Sequence, residues 1–360
     1  MRTSSKAFLK AAAALMAVAV LSVALTNVLD PSSKTRGYPV AEAAAIGSIG
    51  FADSDMWGYG PDDVNRAMDL MVDTGVQSVR ILMPWAGVQP DPDTWNWGQV
   101  DLMVNAANSR GLGVLGILNS SPGWAAVPGT LQFAGPPTTM STYGDYAAAV
   151  ASRYAGRVQA YEIWNEPNSI MFWATGAQGP DAALYTQMLK TAYPRIKSAD
   201  PGATVVGGVL GWVVSFGSLT VDPVVFLQRM YDAGAAGSMD ALSFHPYHYG
   251  IKFSAGRGVP DSPMTQLEAM RGLMAANGDG GKKIWATEYG EPTSSVDDAT
   301  QADYLRDFIT TWRSLPYTGP AFIYTLRDRN TGSSSDHDTL GVYRTDWTPK
   351  PAQQVVASLS

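Results

Sequence analysis

Eight short apolar runs recur along the chain: Ile46–Phe51, Ser78–Met83, Gly113–Leu118, Ala160–Trp164, Thr204–Val209, Ala241–Phe244, Lys283–Thr287 and Ala321–Thr325. They are rich in Val, Ile and Leu and mostly lack polar alternation, the mark of strands buried on both faces. Helix-period stripes lie between them. Val64, Met68, Met71 and Val72 form one, closed by Gly75; Leu184, Met188, Leu189 and Ala192 form a second. Tyr304, Leu305, Phe308, Ile309 and Trp312 form a third. Strand and helix in alternation imply a parallel sheet covered by helices. Eight such units over roughly 310 residues match the size and repeat of a single (β/α)8 TIM barrel. The rival is a doubly wound sheet, but no Gly-rich phosphate loop follows any of the runs.

The first residues break this pattern. Arg2, Lys6 and Lys10 precede an apolar run from Ala11 to Leu25, and Ala41-Glu42-Ala43 offers a candidate cleavage site. Residues 1–26 read as a signal peptide or an uncleaved anchor, 27–45 as a linker and 46–360 as the catalytic domain. The apolar run is shorter than the ~20 residues that span a bilayer. The expectation is a monomer, secreted or associated with a bacterial cell envelope, that meets a membrane only if the N-terminal segment is retained.

Composition narrows the chemistry. With 46% hydrophobic and 16% charged residues, the chain is a folded globular protein. A net charge of −7 argues against nucleic acid as a partner, and loss of the basic N-terminal segment would make the rest more acidic still. There is no cysteine, which excludes disulfides, thiol catalysis, cysteine-bound metal and a lipoprotein anchor.

Two stretches carry the candidate chemistry, Ile163-Trp164-Asn165-Glu166-Pro167-Asn168 and Trp285-Ala286-Thr287-Glu288-Tyr289-Gly290. Each is an apolar run that ends in a carboxylate. In a barrel, strand ends of this kind form the active site, and a pair of carboxylates is what glycosidic cleavage requires. Pro167 is expected to hold Glu166 extended and to end its strand. A carboxylate there serves as a general acid when its surroundings favour the protonated form. A helix cap or a surface ion pair explains one such glutamate alone; it explains both poorly.

Asn165-Glu166-Pro167 on the fourth strand and Glu288 on the seventh resemble the clan A glycoside hydrolases, retaining (β/α)8 enzymes. Within the clan, Tyr161 to Asn168 is similar to family 39 and related cellulase-like glycosidases. So are Ser120-Ser121-Pro122-Gly123-Trp124 and Ser243-Phe244-His245-Pro246-Tyr247, and the likeness covers nearly everything after the linker. The resemblance implies that Glu166 is the acid/base and Glu288 the nucleophile, with carboxyl groups about 5–5.5 Å apart. It also implies that His245 and Tyr247 orient the nucleophile or touch substrate.

Supporting residues follow. Arg80 lies inside the apolar second strand, where an unpaired charge is expensive; it is expected beside Glu288, or paired with Glu162, or both in one network. Asn165 offers an amide to a sugar hydroxyl. Trp57, Trp85, Trp124, Trp173 and Trp212 follow strands on the catalytic side, where rings stack on sugars; Trp85, Trp124 and Trp173 are taken as substrate-binding. Trp164, Trp285 and Trp312 read as core. Many clan members put a tryptophan near the end of strand eight. Here the run is Phe322-Ile323-Tyr324-Thr325-Leu326-Arg327, which leaves Tyr324 or Arg327 for that place, and the polar stretch Ser333 to Trp347 is expected to cover part of the cleft. Three histidines, two of opposite strand parity, make a metal site improbable, and no cofactor is expected. The function expected is retaining, endo-acting hydrolysis of an extracellular or envelope polysaccharide. A transglycosylase and an inactive glycan-binding barrel are the alternatives.

Overall fold

The computed structural model describes residues 44–175 and 179–360. Its strands are β1 (Ile49–Ala52), β2 (Ser78–Leu82), β3 (Gly113–Leu118), β4 (Ala160–Ile163), β5 (Thr204–Gly211), β6 (Ala241–His245), β7 (Ile284–Tyr289) and β8 (Thr318–Tyr324). They pair in parallel in chain order, and β8 returns to β1 with Gly50 opposite Phe322, so the barrel closes. That closure rules out the doubly wound sheet. A helix follows each strand: α1 (Pro61–Asp73), α2 (Gly98–Asn108), α3 (Met140–Arg153), α4 (Ala182–Ala199), α5 (Pro223–Asp232), α6 (Pro263–Ala276), α7 (Asp298–Ser314) and α8 (Pro351–Leu359).

Local chemistry sets the helix starts. Asp181 caps α4 by accepting from the amides of Ala183 and Leu184, both at 2.9 Å. Asp222, Ser262 and Asp297 cap α5, α6 and α7 in the same way, and Pro223 and Pro263 supply the preset φ of a first helical residue. In α1, Val64, Met68 and Met71 are buried while Val72, one step round the helix, is 42% exposed. It does not belong to the stripe.

The strand faces divide the core in two. Outward side chains join the helices in the large shell. Inward ones, Ala52, Leu115, Ala160, Val206, Ala241, Trp285 and Phe322, fill the lumen. Two residues further along the same faces, β2 offers Arg80 after Ser78, β4 offers Glu162 after Ala160, β6 offers Ser243 and then His245, and β7 offers Thr287 after Trp285. The lumen therefore turns polar toward the C-terminal strand ends. Trp164, Trp285 and Trp312 are buried as expected.

The signal peptide or anchor, the cleavage site and nearly all of the linker lie outside the described residues. Among the described residues, no helix is long and apolar enough to cross a membrane.

Candidate active site

β4 ends at Ile163, and the chain then turns sharply: Trp164 has φ +70° and Glu166 φ +40°. The extended conformation expected for Glu166 is thus corrected. A following proline disfavours the right-handed helical region but does not forbid positive φ when other bonds hold it. Here the Glu166 amide donates to Val209 O at 2.9 Å, and Val209 is itself at φ +50° in the bulge that shifts the β5–β6 register. Asn168 brackets the end of β5, donating to Gly211 O at 2.8 Å and accepting from Gly211 N at 2.9 Å. Gly211 leaves the Glu166 side chain its present place. A Cβ there would stand 2.8 Å from the Glu166 carboxyl carbon, so the β5 end forms a wall against that side chain.

Glu288 near the end of β7 is held from two sides. Arg80 donates from one terminal nitrogen to Glu288 Oε1 at 2.6 Å, and the Tyr247 hydroxyl donates to Oε2 at 2.8 Å. The same guanidinium donates to Glu162 Oε2 at 2.6 Å and to Asn165 Oδ1 at 3.2 Å. Both readings of Arg80 thus meet in one network. Arg80 and Glu162 are buried, where each charge needs the other. Burial pushes the Glu288 carboxyl up, but His245, Arg80 and the Tyr247 hydrogen bond outweigh it and hold it below the usual range.

His245, the last residue of β6, joins the two glutamates. Its Nδ1 is 2.8 Å from Glu166 Oε1 and 3.7 Å from Glu288 Oε2. Burial works against the imidazolium, yet Glu288 and Glu166 raise its pKa overall. On the far side Nε2 meets Thr287 Oγ1 at 2.9 Å. Glu166, His245 and Glu288 each present one atom within 4.8 Å of the others. A divalent ion could use such a trio, but Arg80 and Tyr247 already engage the two Glu288 oxygens, and the guanidinium brings a positive charge beside them. The arrangement suits proton transfer.

The tryptophans divide. Trp124 is 38% exposed, with its Nε1 donating to Gln89 O, and Trp57 and Trp212 are half-buried. Trp85 and Trp173 are fully buried, which corrects their reading as substrate-binding residues. Trp85 opens a helical turn that folds back onto α3, stacking on Tyr146 and meeting Tyr143 edge-on. Trp173 meets Trp164 and Tyr185 edge-on. Residues just past a strand end can turn inward beneath the mouth, and a sequence position does not reveal this.

At the end of β8, Tyr324 packs against the lumen cluster, and its hydroxyl lies 3.4 Å from Arg329, which pairs with both oxygens of Asp55 at 2.7 Å. Arg327 turns away: it donates to Thr345 O and lies 4.2 Å over the Trp347 ring. Of the two candidates, Tyr324 is therefore the one at the mouth. In the following loop Asp336 accepts from Ser294 and Ser295, so this stretch packs on the β7 loop. Two contributors escaped the sequence reading. Thr287 and Ser243 look like ordinary strand residues, and only their shared inward parity with His245 hinted at more.

The cellulase family model, glycosyl hydrolase family 5, matches residues 36–319. A beta-xylosidase of Geobacillus stearothermophilus is 23% identical over 189 residues, covering 47% of this chain and 36% of that protein. The chain thus spans about a third of the length of the curated relative it matches. Among solved structures, a family 39 glycoside hydrolase from the gut symbiont Bacteroides cellulosilyticus WH2 aligns with a TM-score of 0.70 at 23% identity, over 87% of this chain and 63% of that one. A monomeric beta-xylosidase from Caulobacter crescentus CB15 aligns at 0.62 and 16%, over 89% and 69%. At these identities the structural likeness speaks for the fold alone.

Proposed function

The chain belongs to the cellulase family, glycosyl hydrolase family 5, within the clan A glycoside hydrolases, and from that premise we propose that it is a retaining glycosidase acting within an extracellular or cell-envelope polysaccharide. One observation carries the mechanism: an oxygen of Glu166 and an oxygen of Glu288 lie within 4.8 Å of each other. Nearest oxygens at that range fit the ~5–5.5 Å separation of carboxyl groups that direct displacement uses.

Glu288, kept ionised by Arg80 and Tyr247, attacks the anomeric carbon. Glu166 gives its proton to the departing glycosidic oxygen, leaving a glycosyl ester on Glu288. Glu166 then takes a proton from water, whose oxygen displaces Glu288 and restores both side chains. Asn165, whose Oδ1 is held by Arg80, presents its amide nitrogen to a sugar hydroxyl.

The endo mode rests on Trp57, Trp124 and Trp212, which stay part-exposed on three separate loops; the burial of Trp85 and Trp173 narrows that support. Export belongs to the same proposal and rests on the Arg2 to Leu25 pattern. An inactive binding barrel is disfavoured, because it has no need of two carboxylates so close.

A digest of a glycan panel, with Glu288→Gln as control, tests the reading. The wild type should release sugar with retained configuration, and the variant should lose activity by roughly 10⁴-fold or more. Undiminished activity in the variant overturns the mechanism. Products elongated on an added acceptor sugar would identify a transglycosylase instead.

A further inference from the structure

Behind His245 runs a line of hydroxyls that no step above uses. Nε2 of the ring is 2.9 Å from Thr287 Oγ1, which is 2.5 Å from Ser243 Oγ. All three side chains are fully buried. Ser243 and His245 stand two apart on the inner face of β6, and Thr287 faces them from β7, so strand geometry rather than a loop holds the line. The groups facing the ring are Glu166 from the turn after β4, Glu288 from β7 and the positive Arg80 from β2.

A buried ring nitrogen has to be paired. A hydroxyl donates and accepts at once, so Thr287 can accept from Nε2–H while passing its own hydrogen to Ser243. With Nε2 protonated, Nδ1 is left to share one proton with Glu166. In one state Glu166 carries that proton and donates it to Nδ1. In the other the imidazolium carries it and donates to the carboxylate. The Thr287 contact is the same in both.

We propose that Thr287, backed by Ser243, is a positioning residue that keeps a proton on Nε2 of His245 and thereby allows Glu166 to exist as an acid. This rests on the glycosidase reading of Glu166. Without the hydroxyl, the favoured neutral ring carries its proton on Nδ1, donates to Glu166 and holds it ionised. Protonation of the leaving group is then the step that suffers.

The test is Thr287→Val, similar in shape but without the hydroxyl, assayed on glycosides of the sugar that the wild type turns over. With an alkyl or sugar leaving group, kcat/KM should fall roughly tenfold or more; with dinitrophenolate, which departs unprotonated, it should fall less than about threefold. Thr287→Ser should restore both values, and Ser243→Ala should show a smaller loss with the same leaving-group bias. A uniform loss across leaving groups, no loss, or failure of Thr287→Ser to restore would overturn the proposal. A second readout needs no substrate. Nitrogen NMR of the three imidazoles, assigned with His248→Asn and His337→Asn, should find His245 carrying its proton on Nε2 in the wild type and on Nδ1 in Thr287→Val. An unchanged ring refutes the relay. A wild type that cleaves no glycoside sinks the functional reading and leaves this measurement standing.

Discussion

Glu166 and Glu288 are the same residue type at the same end of the same barrel, and their side chains are similarly accessible, at 18% and 13%. Burial therefore does not set them apart. Partners do. Both oxygens of Glu288 are engaged, one by a guanidinium and one by a phenol. Glu166 has His245 on one oxygen and the bare backbone of Gly211 alongside. A carboxylate held by a guanidinium and a phenol is kept in its charged form, the form that attack requires; the one beside the imidazole and the glycine wall has a proton partner within reach. On the proposed mechanism, two environments make two roles from one side chain.

The sharpest way to break this contrast is to remove the proton carrier alone. Glu166→Ala should lower kcat/KM roughly 10²–10⁴-fold for alkyl or sugar leaving groups and far less for dinitrophenolate. Glu288→Gln should fail with both. Equal sensitivity of Glu166→Ala to every leaving group, measured by initial rates across such a series, would erase the distinction between the two ends.

A smaller effect targets the wall. In Gly211→Ala the new methyl stands 2.8 Å from the Glu166 carboxyl carbon, so the carboxylate has to move while Glu288 keeps its clamps. A displacement of about 1 Å costs on the order of 10²-fold in turnover. Rates for poor leaving groups should carry that loss, with little change in melting temperature. A loss shared equally by dinitrophenyl substrates would mean that the methyl disturbs the whole mouth.

The barrel itself was legible in the sequence because its strands are buried on both faces and read as unbroken apolar runs. Their ends were less so. β5 runs on to Gly211 through a bulge at Gly208 and Val209 that apolar periodicity does not mark, and β8 starts earlier, at Thr318. The glutamates and Arg80 stood out as charges at the ends of apolar runs or within them. Trp85 and Trp173 misled because a ring after a strand end looks alike whether the loop lifts it into the cleft or folds it under α3 or α4. Ser243 and Thr287 were nearly invisible, since small hydroxyl residues are common in strands and only the register between β6 and β7 lines them up with His245.

The smallest predicted effect is also the most selective. The Tyr247 hydroxyl bonds Glu288 at 2.8 Å and helps hold that carboxyl below its usual range, after the larger contributions of His245 and Arg80. Tyr247→Phe removes a hydrogen bond to the charged form, so the carboxyl rises. As the proposed nucleophile Glu288 acts only when ionised, so activity should be lost as pH falls through its pKa. Raising that pKa should move the acid limb of kcat/KM to higher pH. The basic limb should stay in place. Near the optimum the rate should fall about tenfold or less. Profiles of wild type and variant, fitted for both limbs, decide the matter. A basic limb that shifts together with the acid one would show that the two glutamates titrate as one unit, and the division of labour between the strand ends would have to be redrawn as a shared proton inventory.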